Sequence, residues 1–381
     1  MNLHPLEGHD EARDGVAAAL DRGCLPQALL LHGPPGVGKQ RFGLWLAQLL
    51  LCQESSRAGP CQACQGCRLA LRVEHPDLHW YFPVKKPPSK GSRDRDDEAL
   101  EDARTSRIAE LREEPLQSSH SEEPLGLHLG TVRNLRRRAS SRPAMASRQV
   151  FLVADAEELV AQDASPEAAN ALLKLLEEPP EGTWFILTSA EPGRLLPTIR
   201  SRTSSLHLPS LPTQVVADFL VRQLDVAPEE ARKAARLSSG AIGRAMGFLA
   251  DGDGDGPLEA LRKESFRLLR DALSPQPGHR FSRALQYRPS GARGLRELLM
   301  GLEIWLRDLG AAASGAADAL LNQEAGDWLA RTAREQRIHP ARVARGMQAV
   351  QDARAQAAGN VNPQLLLSNL LIRLHRILVA T

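Results

Sequence analysis

The sequence predicts an α/β phosphate-loop nucleotide fold that carries an inserted cysteine module and is followed by two helical regions. Three observations lead there. The apolar run Leu29-Leu30-Leu31 leads into Gly33-Pro34-Pro35-Gly36-Val37-Gly38-Lys39-Gln40, a complete GxxxxGK frame. Four of the five cysteines, Cys52, Cys61, Cys64 and Cys67, follow at once. Strand-like apolar runs alternate with helical periodicity up to Leu208 and vanish beyond it, the pattern of a parallel sheet followed by helices.

The elements follow in order. Val16 to Leu20 is amphipathic, Ala28 to His32 is a short buried strand, and Phe42 to Leu51 is an apolar helix. After the cysteines, His75-Pro76-Asp77 leads into a strand, Leu78-His79-Trp80-Tyr81-Phe82, stopped by Pro83. Residues 84 to 126 are rich in charge and poor in groups able to bury area, which predicts a mostly disordered surface insertion. Its centre, Ala99 to Glu114, can also form a charged helix around Leu100, Ile108 and Leu111. A basic helix, Val132 to Ala139, precedes the buried strand Gln149 to Val153. The helix bearing Ala168, Leu172, Leu173, Leu175 and Leu176 is ended by Glu177-Glu178-Pro179-Pro180, and the strand Trp184 to Thr188 follows. Beyond Pro212 come short helices at Val215 to Leu224 and Pro228 to Leu237, then a Gly-Asp joint at 251 to 257. The expected domains are an α/β domain at 1–208, with the cysteine module at 52–67 and the charged insertion at 84–126, a helical lid at 209–250, and an all-helical domain at 257–381.

Lys plus Arg number 48 against 46 Asp plus Glu, so a net charge of +2 makes no global electrostatic case for nucleic acid. Arg133, Arg136, Arg137, Arg138 and Arg142 form a local basic cluster, readable either as a nucleic-acid contact or as a solvated helix face. No apolar stretch is long enough to span a bilayer and Met1-Asn2-Leu3-His4-Pro5 has no secretory pattern, so a cytoplasmic address with no membrane partner is expected.

The glycine-rich loop and the helix after it form an anion nest, with Lys39 as a point charge for the outer phosphates. Gln40 stands where a Ser or Thr would give magnesium its hydroxyl, so ATP or ADP can be held while magnesium lacks a usual ligand. Asp155, at the carboxyl end of a strand, could meet a magnesium ion, but Ala156 beside it offers no carboxylate to position water, and Glu157 is displaced by one residue. Weak or absent hydrolysis follows, and a structural relic is the competing reading. Cys52, Cys61, Cys64 and Cys67, spaced x8, x2 and x2, supply four thiolates for a closed structural zinc site; an iron–sulfur cluster, free thiols, or His75 in place of one thiol are the alternatives. Cys24 reads as a buried small hydrophobe. Arg202 in Ser201-Arg202-Thr203 either faces a neighbouring subunit's γ-phosphate or makes an ordinary surface salt bridge, and Arg244 either reaches a nucleotide from the lid or lies on a helix surface.

His32 to Lys39, the cysteine module with His75-Pro76-Asp77, the string Asn170-Ala171-Leu172-Leu173-Lys174-Leu175-Leu176-Glu177-Glu178-Pro179-Pro180 and the run Asn360 to Leu367 together resemble the bacterial clamp-loader AAA+ family. The resemblance covers nearly the whole chain except the charged insertion. It implies an AAA+ fold with a helical collar domain, in a DNA polymerase III component that joins gamma or tau motor subunits and a delta subunit in a five-membered ring. Such a ring places the sliding clamp around primer–template DNA, at the nucleoid-associated replisome. The resemblance also implies that Arg202, in the family's Ser-Arg-Cys position with Thr203 replacing cysteine, completes a neighbour's ATP site in trans. Ser189 takes the place of the family's first polar sensor, and Arg244 that of its lid sensor. A gamma/tau-type motor ATPase and an autonomous nucleic-acid-binding scaffold are the alternatives.

Overall fold

The computed structural model describes residues 3–88, 91–116, 125–159, 167–250, 252, 254–288, 291–357, 359 and 361–379. Parts of the insertion and two aspartates of the Gly-Asp joint lie outside these residues. The described chain divides into two compact units, the first ending at Ala245 and the second beginning at Met246.

In the first unit α1 (Asp10–Asp21) precedes β1 (Ala28–His32), which runs through the phosphate loop into α2 (Lys39–Leu51). Then come α3 (Gln65–Leu71), β2 (Leu78–Tyr81), β3 (Val84–Lys85), α4 (Arg93–Glu113), β4 (Leu125–Gly126), α5 (Leu129–Ala139), β5 (Gln149–Val153), α6 (Glu167–Glu177) and β6 (Thr183–Ser189). A one-turn helix α7 (Pro197–Arg200), β7 (Ser204–His207), α8 (Thr213–Leu224), α9 (Pro228–Leu237) and α10 (Ile242–Met246) follow. Five strands pair in parallel in the order β2-β5-β6-β1-β7. Because side chains alternate along a strand, the sheet has two apolar faces. Leu29, Leu31, Val150, Leu152 and Ile186 pack with Phe42, Leu46 and Leu49 of α2, while Leu30, Phe151, Val153, Phe185 and Leu187 pack with Val132 and Leu135 of α5 and Leu172 and Leu176 of α6. The sequence-predicted fold class, a parallel α/β phosphate-loop fold with a helical carboxyl-terminal region, is therefore present.

Two expectations are corrected. The described part of the insertion is not disordered: α4 is a 21-residue helix that buries Ala99, Leu100 and Ile108. Its many charges stay partly solvated or pair, Asp97 with Arg133 and Glu101 with Arg104 and Arg138, so a low apolar content suffices to dock it. β7 adds an edge strand to β1 that the residue patterns left unassigned, because its sequence Ser-Ser-Leu-His is too short and polar to signal a strand. Cys24 is exposed rather than buried, because it falls in the turn after α1.

The second unit is helical, with α11 (Pro257–Leu273), α12 (Pro277–Gln286), α13 (Gly291–Ala313), α14 (Gly326–Glu335), α15 (Pro340–Gln356) and α16 (Pro363–Leu378) around its own core of Leu298, Leu302, Leu306, Val350, Leu367 and Leu371. Among the described residues no helix is long and apolar enough to cross a membrane.

Candidate functional site

The carboxyl ends of β1, β5 and β6 deliver three groups of residues to one edge of the sheet, as parallel α/β sheets do. The loop after β1 turns through left-handed backbone at Gly36 (φ 76°) and Gly38 (φ 104°), and Gly38 caps α2. A side chain at Gly36 would put a Cβ 2.7 Å from the backbone nitrogen of Arg244, so glycine is required there by close approach as well as by φ. Lys39 is buried, and its Nζ donates to the carbonyls of Gly33 at 2.9 Å and Pro34 at 2.8 Å. Burial holds its pKa below the usual lysine value, against the opposing pull of Asp155 and Glu157. Two outside groups brace the loop: the Gly243 N–H donates to the Gly36 carbonyl at 2.8 Å, and His9 Nε2 bonds the Val37 carbonyl at 3.1 Å.

Asp155 follows β5 in left-handed backbone, φ 49°, a conformation that aspartate tolerates better than most side chains. Gln40 Nε2 donates to Asp155 Oδ2 at 3.4 Å. Ala156 is fully buried, and Glu157, 5% exposed, turns into the same edge, where its Oε1 accepts the Ala190 N–H at 2.9 Å and its Oε2 has no hydrogen-bond partner among the described residues. Burial, with Asp155 second, raises the Glu157 pKa. Ser189 is the last residue of β6, not the residue after it, and its Oγ accepts the Glu191 N–H. Gly33, Gly36, Gly38, Lys39, Gln40, Asp155, Ser189 and Arg244 are thus linked through direct contacts and through Glu157. Glu157 and Gly243 are the members that residue patterns did not assign to this site.

Arg202 stands elsewhere. It lies in the turn after α7 rather than on it, and its partners are Glu177, Thr198 and Ser201. Its Nε donates to Glu177 Oε1 at 2.5 Å and its Nη1 to the Thr198 carbonyl at 3.0 Å, with the side chain 31% exposed. The charged string ending α6 therefore supplies Arg202's carboxylate, a pairing across 25 residues that no local spacing announces. Of the local basic cluster, Arg133 and Arg138 are tied to α4, while Arg136, Arg137 and Arg142 are not buried.

Cys52, Cys61, Cys64 and Cys67 converge with all sulfurs within 4.8 Å of one another. Cys61 and Cys67 are 4.0 Å apart, as are Cys52 and Cys64. A tetrahedral zinc with Zn–S near 2.3 Å needs sulfurs about 3.8 Å apart, so the donor set fits that ion. Backbone N–H groups of Cys61, Cys64 and Cys67 donate to sulfurs of the cluster. For Cys64 burial opposes ionisation, but donors from Gln53 and Cys67 and the neighbouring thiols bring its pKa down to about 6. Burial pushes Cys67 the other way. His75 is not part of the cluster; its Nδ1 accepts the Asp77 N–H at 3.1 Å and orders the turn.

Asp77, 2% exposed, accepts N–H groups from Ala144, Met145 and Ala146 and so pins the entry to β5 beside β2. Asp77→Ala takes a buried, charged acceptor from three backbone N–H groups. We expect a loss of about 3 kcal/mol, read as a fall of roughly 10 °C in the first unit's melting transition by calorimetry.

Two family models match the chain: one described as DNA polymerase III, delta subunit, over residues 8–212, and one described as DNA polymerase III, delta subunit, C terminal, over residues 262–376. DNA polymerase III subunit delta' from Escherichia coli is 29% identical over 231 residues, 61% of this chain and 57% of that protein. Its counterpart from Yersinia pestis is 33% identical over 219 residues, 56% of this chain and 52% of that protein. DNA polymerase III subunit gamma/tau from Mycobacterium bovis is 31% identical over 215 residues, 56% of this chain and 30% of that protein. The chain spans about half the length of the delta' relatives it matches.

Proposed function

Because this chain belongs to the DNA polymerase III delta-subunit family of clamp-loader AAA+ proteins, we propose that it is a delta-prime-type subunit of the clamp loader. In this reading it joins gamma or tau motor subunits and a delta subunit in a five-membered ring that loads the sliding clamp onto primer–template DNA. It does not hydrolyse ATP itself, and Arg202 serves the ATP site of the adjacent motor in trans. The observation that carries the reading is the bond from Gln40 to Asp155 beside the buried Ala156. Two elements of the hydrolytic machinery, a hydroxyl for the metal and a neighbouring carboxylate for water, are missing together. The division into α/β, lid and collar domains belongs to the same proposal, as does a structural zinc on the four cysteines.

The gamma/tau match favours a second reading, a motor ATPase. Steady-state hydrolysis by the isolated chain at saturating ATP separates the two. Background turnover, with incorporation into a complex of recombinant motor and delta subunits and a requirement for this chain in clamp loading, is the expected result. Turnover comparable with a motor subunit and abolished by Lys39→Ala overturns it.

A further inference from the structure

The phosphate loop keeps its anion-binding parts while the place for a divalent cation is taken. Magnesium asks for oxygen ligands in a nearly octahedral shell at about 2.1 Å. Here the side chain after Lys39 presents a carboxamide, and Gln40 Nε2 points at Asp155 Oδ2, 3.4 Å away. An ionised carboxylate only accepts, so the amide must turn its nitrogen, the positive end of its dipole, toward Asp155. A cation arriving at Asp155 would meet that N–H₂ group instead of an oxygen. Lys39 already supplies a positive charge in the same electrostatic neighbourhood as Asp155 and Glu157. The nest itself is intact, with left-handed glycines at 36 and 38 opening the 13-residue helix α2.

A third phosphate has a different environment from the second. In a phosphate loop the inner phosphates lie on the backbone N–H groups, whereas the terminal one extends toward the strand-end acid. That acid is Asp155, with the buried Glu157 next to it. With no metal between them, a γ-phosphate and the Asp155 carboxylate repel.

Resting on the non-hydrolysing reading above, we propose that this phosphate loop binds a nucleoside diphosphate without a divalent cation and discriminates against the triphosphate, with the Gln40–Asp155 pair excluding magnesium.

The test uses ADP and ATP as probes on the full chain, with affinities measured by calorimetric titration in excess EDTA and in millimolar magnesium. ADP affinity should change by less than about twofold between the two buffers, and ATP should bind about tenfold more weakly than ADP without metal. Lys39→Ala should abolish ADP uptake. Gln40→Thr should make ATP affinity rise about tenfold or more on adding magnesium. Asp155→Asn, which keeps the shape and removes the charge, should narrow the ATP–ADP gap in EDTA and gives a second reading if Gln40→Thr does not fold. Wild-type ADP affinity that rises tenfold with magnesium, no ADP uptake in either buffer, uptake that survives Lys39→Ala, or an unchanged gap in Asp155→Asn each overturns the proposal. None of these outcomes bears on Arg202, whose role is read from a neighbour's hydrolysis, so the two ideas fail separately.

Discussion

Changing Arg202 to alanine in the reconstituted complex is expected to leave assembly intact and to slow ATP hydrolysis at the adjoining motor site by about a thousandfold, the usual worth of an arginine supplied to a transferring phosphoryl group. Assembly should survive because the guanidinium is part-exposed and its carboxylate partner Glu177 is 42% exposed; an ion pair of that kind contributes about 0–1 kcal/mol. The same comparison makes the proposed move of Arg202 from Glu177 to a neighbour's phosphate inexpensive, since a surface pair is cheap to exchange for a phosphate oxygen in a drier interface. Several motor sites add to total turnover, so single-turnover clamp loading on primed DNA is the cleaner measurement. Lys39→Ala should matter much less to that readout. Normal loading and normal hydrolysis by a correctly assembled Arg202→Ala complex would reduce Arg202 to Glu177's surface partner.

The parts of the fold that were legible in the sequence are those where one local rule decides the outcome. Leu29 to Leu31 and Gln149 to Val153 are buried on both faces, so continuous apolar runs mark them as interior strands. The four cysteines assembled as their spacing implied because a chain only 16 residues long from Cys52 to Cys67 leaves few other closures. What escaped depended on contacts distant in sequence. Helix α4 is held by ion pairs to Arg133 and Arg138 and by the Arg104 bond to the Trp80 carbonyl, none visible in its own composition. β7 exists because β1 offers it an edge. The site divides the same way: the loop residues were legible as a motif, while the Gln40–Asp155 bond spans 115 residues and the turn of Glu157 into the site follows from a left-handed Asp155.

The cysteine module gives the other large effect, and Cys64→Ser isolates it. Cys64 is also the N-cap of α3, its sulfur accepting the Cys67 N–H. Serine is itself a good N-cap, so the substitution removes a metal ligand while sparing the helix start. Wild-type protein freshly purified should carry about one zinc per chain, and Cys64→Ser well under a fifth of that, because three thiolates leave the tetrahedron open to water and exchange. The structural cost should be local and substantial, since zinc binding in a site of this kind is folding free energy on the order of 10 kcal/mol. The module's neighbours should loosen first: Gly66 packs against the Leu51 carbonyl at the end of α2, so a disordered knuckle frees that end. The second unit has a core of its own, built from Leu298, Leu302, Leu306 and Leu371, and should keep its thermal transition and its helicity. Metal analysis with calorimetry reads both halves at once. Wild-type protein with neither zinc nor iron would sink the metal assignment, and loss of helicity throughout the Cys64→Ser chain would show that the knuckle supports more than the unit it sits in.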